Sequence, residues 1–386
     1  MLALVNGHVY TGMEVISDHA VLVEHGHIFD LVALNQVDSD WKVIDLKGLN
    51  IVPGFIDLQV NGGNGVLFND HPSVSALQRI VKAHEKFGTT DLLPVFITGE
   101  PAKMRQAVEA VSYCLENNIP GIIGIHFEGP FIAPEMAGIH DPKYILEFDE
   151  AVAQILISLK SGYTLITVAP ERLTQDQLAK LAGPHIKLAA GHSKAGSTQM
   201  AEAFKAGITG VTHLFNAMSQ MQQRSPGVVG CTLSAEQIWA SIIADGFHVH
   251  FVNVRAAWQA KCGKLFLVTD AMPPVGGEID TFTIGPHTIY HREGKCFTSD
   301  NVLSGSALDM ATAVRNCIKF AGIEKAEAFR MASTYPAQFL GIKDLGFIKP
   351  GYQANMTVCD NEIRVAGIFR RGVYCQVAGA PKCGQS

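Results

Sequence analysis

The stretch TDLLPVFITGEPAKMRQAVEAVSYCLENNIPGIIGIHFE, residues 90–128, decides the fold. Its two ends, TDLLPVFI (90–97) and GIIGIHFE (121–128), are short apolar runs that are typical of buried strands. Between them, PAKMRQAVEAVSYCLENN (101–118) has the apolar spacing of an amphipathic helix. A strand, a helix and a strand in this order predict a βαβ unit with parallel strands.

The same alternation continues on both sides of this stretch. SVSALQRIVKAHEKFG (73–88) is another amphipathic helix, and further strand candidates lie at 50–59, 164–171, 186–193, 210–217, 239–246 and 264–271. Eight such strands, alternating with helices, predict an α/β fold of the (β/α)8 TIM-barrel type.

Both ends of the chain have a different pattern. LALVNGHVYTG, HAVLVEHGHIFDLVA and KVIDLKGLNIVPG near the N-terminus alternate apolar and polar residues between glycine turns, and 346–376 has the same character. We therefore predict a small β-sandwich domain formed from 1–52 and 346–386. The barrel, 53–345, would be inserted between these two parts.

The bulk composition agrees with a large globular protein. The chain has 386 residues, 47% hydrophobic and 17% charged, which favours a large buried core over disorder. A net charge of −6 without a Lys/Arg block argues against nucleic acid or a membrane surface as partner. Eight cysteines without a C-x-x-C pair, in a chain whose start lacks a secretion signal, predict reduced thiols in a cytoplasmic protein.

Polar side chains recur where the candidate strands end. The catalytic groups of such barrels lie at the carboxyl ends of the strands. Here those ends carry carboxylates, imidazoles and amides, namely Asp57, Gln59, Asn61, His126, Glu128, His192, His213, Asp245, His248 and Asp270. This recurrence predicts one shared site.

Glu128, His192 and His213 form the candidate metal set. Two imidazoles and one carboxylate leave a fourth position for water, as in catalytic zinc sites. The same donors accept iron, cobalt, nickel or manganese, so zinc is only the first choice. The alternatives are hydrogen-bonded histidines and a Glu128 that caps a turn, and we expect His126 behind the ligands rather than among them.

Asp270 is the candidate acid/base. A metal lowers the pKa of bound water to ~7, and a nearby carboxylate can take its proton and return it to a leaving nitrogen. The alternative is a structural carboxylate that holds the T-D-A-M loop.

These motifs together resemble a known family. PGFIDLQVNG (53–62) resembles the first-strand signature of the amidohydrolase superfamily, where the pattern ends in a His-x-His pair that binds one of two metals. Gln59 and Asn61 stand at those positions here, and this variant resembles the N-acetylglucosamine-6-phosphate deacetylase family. Segments over essentially the whole chain agree, namely HFEGP (126–130), GHS (191–193), THLFNAM (212–218), IIADGFH (242–248), LVTDAM (267–272) and LSGS (303–306). Whether a second metal binds weakly through the two amides is left open.

The resemblance implies roles for particular residues. Glu128, His192 and His213 would bind one divalent metal ion per subunit, and Asp270 would act as acid/base. His140 would hydrogen-bond the scissile carbonyl or a sugar hydroxyl. Arg224, supplied by the second subunit of a homodimer, and His248 would hold the phosphate of a phosphosugar. The sugar site would also include Ile139, Asn216, Ala217, Leu303, Ser304 and Gly305.

The residues support these roles to different degrees. Arg224 lies in the loop QQRSPG after the sixth strand, where a guanidinium could grip phosphate oxygens, although a solvated loop arginine explains it equally well. His248 follows a strand end and could add an imidazolium, with a surface histidine as the alternative. Only the position of His140 in a loop flanked by Gly and Pro marks it.

The implied reaction is hydrolysis of N-acetylglucosamine 6-phosphate to glucosamine 6-phosphate and acetate in amino-sugar catabolism. One rival is an amidohydrolase that acts on a cyclic amide or related C–N bond, which Gln59 and Asn61 disfavour because such enzymes usually need the His-x-His pair. The other rival is a non-catalytic barrel scaffold. Glu128, His192, His213 and Asp270 together disfavour it.

Overall fold

Eight parallel strands form the centre of the computed structural model, which describes residues 1–378 and 383–385. In chain order they are β1 (Phe55–Val60), β2 (Thr89–Ile97), β3 (Gly124–Glu128), β4 (Tyr163–Val168), β5 (Ile186–Ala190), β6 (Ile208–Val211), β7 (Trp239–Ile242) and β8 (Leu265–Leu267). Each strand pairs with the next. Beyond the end of β8, Ala271 bridges to Val60, and the Asp270 N–H donates to the Gln59 carbonyl at 2.9 Å. The barrel thus closes, and the predicted (β/α)8 fold is confirmed.

Helices surround this barrel. They are α1 (Val74–Glu85), α2 (Pro101–Glu116), α3 (Glu150–Leu156), α4 (Gln175–Leu181), α5 (Ser197–Lys205), α6 (Gly227–Ser234), α7 (Phe251–Lys261), α8 (Met310–Lys319), α9 (Lys325–Ala332) and α10 (Thr334–Leu340). α1 begins after Ser73, whose side chain accepts the Ala76 N–H, and it buries the apolar face that predicted it. Within the described residues, no helix has the length and apolar character needed to cross a membrane.

The predicted strand at 50–59 is in fact two strands. Asn50–Pro53 pairs with His8–Tyr10 and Met356–Cys359, outside the barrel, whereas β1 pairs with β2. Gly54 separates them, and a Cβ on Gly54 would lie 2.1 Å from Thr90 Oγ1. The apolar run continues through this boundary because the chain passes directly from one buried core into another.

Strands from both ends of the chain share a second core. One sheet contains Leu2–Val5, His19–Glu24, His27–Ala33, Lys42–Asp45 and Gly384–Gln385. The other contains His8–Tyr10, Val15–Ile16, Asn50–Pro53, Met356–Cys359, Val365–Arg370 and Val373–Gln376. Leu4, Val21, Ile51 and Phe369 pack within this core. Residues 379–382 and 386 of the predicted sandwich lie outside the described residues, and the limits 1–52, 53–345 and 346–386 stay a prediction.

A four-stranded antiparallel sheet between β8 and α8 was not predicted. Its strands are Thr281–Ile284, His287–Arg292, Lys295–Thr298 and Leu303–Ser306. Ser306 bridges to Ala271, so the last strand lies beside the end of β8. A short hairpin, Gly62–Gly63 with Val66–Leu67, follows β1. Both additions stand at the carboxyl ends of the barrel strands.

Candidate active site

Several of the predicted site residues share an unusual backbone conformation. His192, His213 and Asp270, which follow β5, β6 and β8, have φ values of 49°, 34° and 54°. Residues other than glycine seldom adopt this left-handed conformation, and it clusters at functional sites. Because the backbone leaves the strand direction at these points, the strands end before the limits 193, 217 and 271 that the apolar runs predicted.

The proposed metal ligands converge on one point. Glu128 Oε1 lies 2.8 Å from His213 Nε2 and 3.2 Å from His192 Nε2, and the two Nε2 atoms are 3.1 Å apart. All three side chains are buried. His192 Nδ1 donates to the Met136 carbonyl at 2.7 Å, which leaves Nε2 as the nitrogen with a free lone pair. Two imidazoles and a carboxylate in this arrangement fit a divalent metal ion.

His140 lies next to this cluster. Ligand atoms of Glu128, His140 and His192 all lie within 4.8 Å of one another, so His140 is geometrically a second candidate for the third ligand. His140 Nε2 is 3.9 Å from Glu128 Oε2, however, whereas His213 Nε2 is within 3.1 Å of both other ligand atoms. His213 is therefore the better third ligand. His140 Nδ1 lies 3.1 Å from Thr98 Oγ1.

Burial sets the protonation of the groups around the cluster. It lowers the pKa of His140 to about 3 and that of His126 to about 4, so both rings are neutral near pH 7. For Glu128, burial acts in the opposite direction, but the contacts of its carboxylate with the rings of His192 and His213 hold its pKa well below the usual range. His126 contacts the Leu58 carbonyl and Thr167 Oγ1 at 3.0 and 2.8 Å, in the second layer where we expected it.

Two amides hold Asp270. Asn61 Nδ2 and Gln59 Nε2 donate to Asp270 Oδ1 at 2.6 and 3.2 Å, and Gln59 Nε2 is also 3.2 Å from Glu128 Oε1. Both amides thus engage the same oxygen of Asp270, which leaves Oδ2 to exchange a proton. Burial, and secondly the charge of Glu128, raises the pKa of Asp270 to about 6.

Residues behind the site brace it. Asp57 Oδ2 accepts from Thr269 Oγ1 at 2.5 Å, which ties β1 to the residue before Asp270, and burial raises the pKa of Asp57 to about 7. Glu171 accepts from Ser193 Oγ at 2.6 Å, directly after His192. The sequence did not predict this role of Glu171, because nothing in the sequence indicates that a carboxylate after β4 contacts the end of β5.

Comparison with known proteins agrees with this geometry. Residues 50–380 match the amidohydrolase family, and residues 1–51 match the NagA composite domain. The chain belongs to the amidohydrolase family. This amidohydrolase is 35% identical over 376 residues to the N-acetylglucosamine-6-phosphate deacetylase of Haemophilus influenzae, covering 96% of this chain and 98% of that protein.

Two further proteins are similar over nearly their full length. The N-acetylgalactosamine-6-phosphate deacetylase of a Shewanella species is 35% identical, with 94% of this amidohydrolase and 96% of that protein covered. The crystal structure of the N-acetylglucosamine-6-phosphate deacetylase from Pasteurella multocida superposes with a TM-score of 0.95 at 36% identity, covering 97% of this chain and 99% of that chain.

A cavity of about 390 Å³ opens at the cluster of Glu128, His192 and His213 in the amidohydrolase. Of the predicted residues, it is lined by Asn61, Glu128, Ile139, His140, His192, His213, Asn216, Ala217, His248, Asp270, Leu303 and Gly305. Gln59 is buried and does not line it, and Ser304 is buried with its hydroxyl donating to the Val302 carbonyl at 3.1 Å. Arg224 is exposed in the loop after β6 and does not line the cavity.

Sequence reasoning missed part of the cavity wall. Glu135, Met136 and Gly138, from the loop after β3, line the cavity together with Ile97, Met272 and Val302. Within the described residues, no lysine or arginine of this chain lines it. Among the described residues, imidazoles are therefore the only lining side chains that could offer a positive charge to an anionic substrate group.

Proposed function

We propose that this amidohydrolase removes the acetyl group from N-acetylglucosamine 6-phosphate, giving glucosamine 6-phosphate and acetate in amino-sugar catabolism. The observation that carries the proposal is the placement of Asp270, held by two amides through Oδ1, beside the converging Glu128, His192 and His213. Hydrolysis of an amide needs such a pair, a site that activates water and a group that moves protons. Relatives 35% identical over nearly the whole chain are deacetylases of N-acetylated hexosamine phosphates.

Glu128, His192 and His213 would hold one divalent metal ion per subunit, zinc first, with iron, cobalt, nickel or manganese accepted by the same donors. Such an ion, when bound, supplies Lewis acidity for the amide carbonyl and acidifies water. Gln59 Oε1 is buried and has no hydrogen-bond partner among the described residues. It is the oxygen that a second, weakly held ion would use, together with Asn61.

The protons would move through Asp270. Its Oδ2 would take a proton from the attacking water and give one to the amine as acetate leaves. A pKa of about 6 suits both transfers near neutral pH. His140 is neutral, and with Nδ1 accepting from Thr98 it would donate from Nε2 to the acetyl oxygen as negative charge develops.

Substrate binding would involve two subunits of a homodimer. His248 lines the cavity, whereas Arg224 stands exposed on a surface loop. We propose that Arg224 of a second subunit joins His248 at the phosphate, because a bidentate guanidinium is suited to this group and the described residues of this chain supply no lysine or arginine to the cavity. The walls contacting the sugar would be Ile139, Asn216, Ala217 and Leu303 to Gly305.

A second candidate substrate is N-acetylgalactosamine 6-phosphate. The chain is as similar to a deacetylase of that isomer as to a deacetylase of the glucosamine compound, at 35% identity each. Both sugars carry the same acetamido and phosphate groups, so the site described here would serve either.

We place the enzyme in the cytoplasm. Its eight cysteines are all free thiols, four of them buried, a state that a reducing compartment maintains. We expect no nucleic acid or membrane among its partners, since the net charge is −6 and the substrate is a small phosphosugar.

The test is acetate release by metal-replete protein from four sugars, N-acetylglucosamine and N-acetylgalactosamine, each with and without the 6-phosphate. Fast release from N-acetylglucosamine 6-phosphate alone supports the main proposal, and equal release from both phosphorylated isomers supports the second candidate. Equal rates with and without phosphate would remove the phosphate site. Absence of release from all four, with metal present in the sample, would refute the deacetylase.

A further inference from the structure

His248 is held by the carboxylate of Asp245, which has no role in the reaction proposed above. Asp245 Oδ2 lies 2.6 Å from His248 Nδ1. Its other oxygen, Oδ1, accepts the backbone N–H groups of Phe247 and His248, both at 2.8 Å. The side chains of Asp245 and His248 are only 6% and 8% exposed. Asp245 is thus fully engaged by the loop after β7 and does not line the cavity.

This contact decides which ring nitrogen faces the substrate. An ionised carboxylate can only accept hydrogen bonds, so His248 Nδ1 carries a proton and donates it to Asp245. The role of the second nitrogen of an imidazole is set by the bond that the first one makes. Nε2 is therefore the atom that His248 offers to the cavity it lines.

His248 is also the imidazole that remains for an anion. His192 and His213 converge on Glu128, and burial keeps His140 neutral beside them. The cavity is further lined by the carboxylates Glu128, Glu135 and Asp270, which repel an anion. Among the imidazoles of this chain that line the cavity, His248 is therefore the one left to donate to a phosphate.

We propose that Asp245 is a positioning residue for substrate binding. It fixes His248 with the proton on Nδ1, directs Nε2 into the cavity, and supplies the negative charge that offsets an imidazolium when Nε2–H donates to the substrate phosphate. Hydrogen bonds with an ionised partner are roughly twice as strong as neutral ones, so this charge strengthens the hydrogen bond from His248 to the phosphate. The inference rests on the proposed phosphate-binding role of His248 and adds the residue through which that role is set.

The two oxygens of Asp245 have different partners, and one substitution can remove the contact with His248 while keeping the contacts with the backbone. In Asp245→Asn, Oδ1 still accepts the two backbone N–H groups, so the loop keeps its conformation. The amide nitrogen then faces His248 Nδ1 and donates to it. The ring must accept there, its proton moves to Nε2, and the charge pair is lost.

The experiment combines kinetics with ¹⁵N NMR of histidine-labelled protein. For D245N we expect KM for N-acetylglucosamine 6-phosphate to rise about tenfold, with kcat little changed and no change for the unphosphorylated sugar. The NMR spectrum, assigned with His248→Gln, should show Nδ1 protonated in the wild type and Nε2 protonated in D245N. In the H248Q background, D245N should have no further effect on KM.

Asp360→Asn is the matched control. Asp360 also accepts two backbone N–H groups with Oδ1, from Glu362 and Arg364, but in the sandwich. We expect wild-type kinetics from this variant.

Two results would overturn the inference. The first is an unchanged KM in D245N, or an equal loss of kcat on both sugars. The second is a His248 tautomer that stays the same in D245N. If instead the wild type shows no preference for the phosphorylated sugar, the proposed phosphate role of His248 fails, and the NMR comparison alone decides whether Asp245 sets the ring.

Discussion

At the scale of single residues, the site depends on backbone turns that place side chains outside the regular alternation of a strand. His192, His213 and Asp270 each follow a strand in the left-handed conformation. Such a conformation costs about 1–3 kcal/mol per residue and persists only where the surroundings fix it. Glu171 behind His192 and Asp57 behind Asp270 provide such support.

Asp270→Asn tests the acid/base role. The amide keeps the shape of the side chain but cannot take a proton from water, so we expect kcat to fall about 10²–10⁴-fold. The metal content should stay at the wild-type level, because the carboxylate of Asp270 is not in the proposed ligand set. Turnover and metal analysis on the same sample check both points. Near-normal turnover would contradict the assignment.

Single residues also show what the sequence could predict. Glu128, His192 and His213 stood out because carboxylates and imidazoles are uncommon at the ends of apolar runs. Met136 and Glu171 did not, because one acts through its backbone carbonyl and the other through a neighbouring strand. Arg224 lies outside the cavity of the single chain, and its contact with the phosphate from a second subunit stays a prediction.

At the scale of elements, strand identity was predictable but strand limits were not. The run at 50–59 is apolar throughout, yet it crosses from the sandwich into β1 at Gly54. An apolar run indicates that its residues are buried, but it does not show which of the two hydrophobic cores buries them. The antiparallel sheet at 281–306 was not predicted, because its first two strands are mostly exposed or half-buried and therefore carry a weak apolar signal.

Gly54→Ala tests this junction. A Cβ would lie 2.1, 2.5 and 2.8 Å from the Oγ1, Cγ2 and Cβ atoms of Thr90, so β1 and β2 would have to separate. We expect a loss of about 1–3 kcal/mol in the free energy of unfolding, measured by urea denaturation. Gly196→Ala is the control, because the nearest atom to its Cβ would be 3.9 Å away. Equal stability of both variants would contradict the close approach.

His84 of α1 makes stability depend on pH. Its Nε2 donates to the Gly62 carbonyl at 2.9 Å, and burial lowers its pKa to about 4 from an ordinary value of 6.5. Between these values the unfolded chain binds a proton that the folded chain does not, so stability falls as the pH falls from 6.5 to 4. The slope from this group is about 1.4 kcal/mol per pH unit.

His84→Gln separates this contribution from those of other groups. The glutamine amide can still donate to Gly62 but does not titrate. We expect the unfolding free energy of the variant to decrease less than that of the wild type between pH 7 and pH 5. Parallel pH profiles would show that His84 is not responsible.

At the scale of the whole molecule, a buried arginine joins sandwich and barrel. Arg370, in the six-stranded sheet, donates from Nε and Nη2 to the Thr90 carbonyl at 3.1 and 2.8 Å and pairs with Glu85 of α1. Because Glu85 would lose its buried partner and keep only the exposed Lys82, we expect Arg370→Met to lower the unfolding free energy by about 3 kcal/mol.

The control for this joint is Arg364→Met. Arg364 pairs with Asp360, but its side chain is 70% exposed, so the variant should change stability by less than about 1 kcal/mol. Urea denaturation of both variants makes the comparison. A similar small change in both would show that the Arg370 pair does not hold the two parts together.

The most direct test of the account is removal and return of the metal. Chelation should abolish acetate release from N-acetylglucosamine 6-phosphate, and one equivalent of zinc per chain should restore it in full. Glu128→Gln, which weakens the carboxylate ligand but keeps its shape, should need a higher zinc concentration in direct binding measurements. Full activity in protein shown to be free of metal would contradict the proposed mechanism.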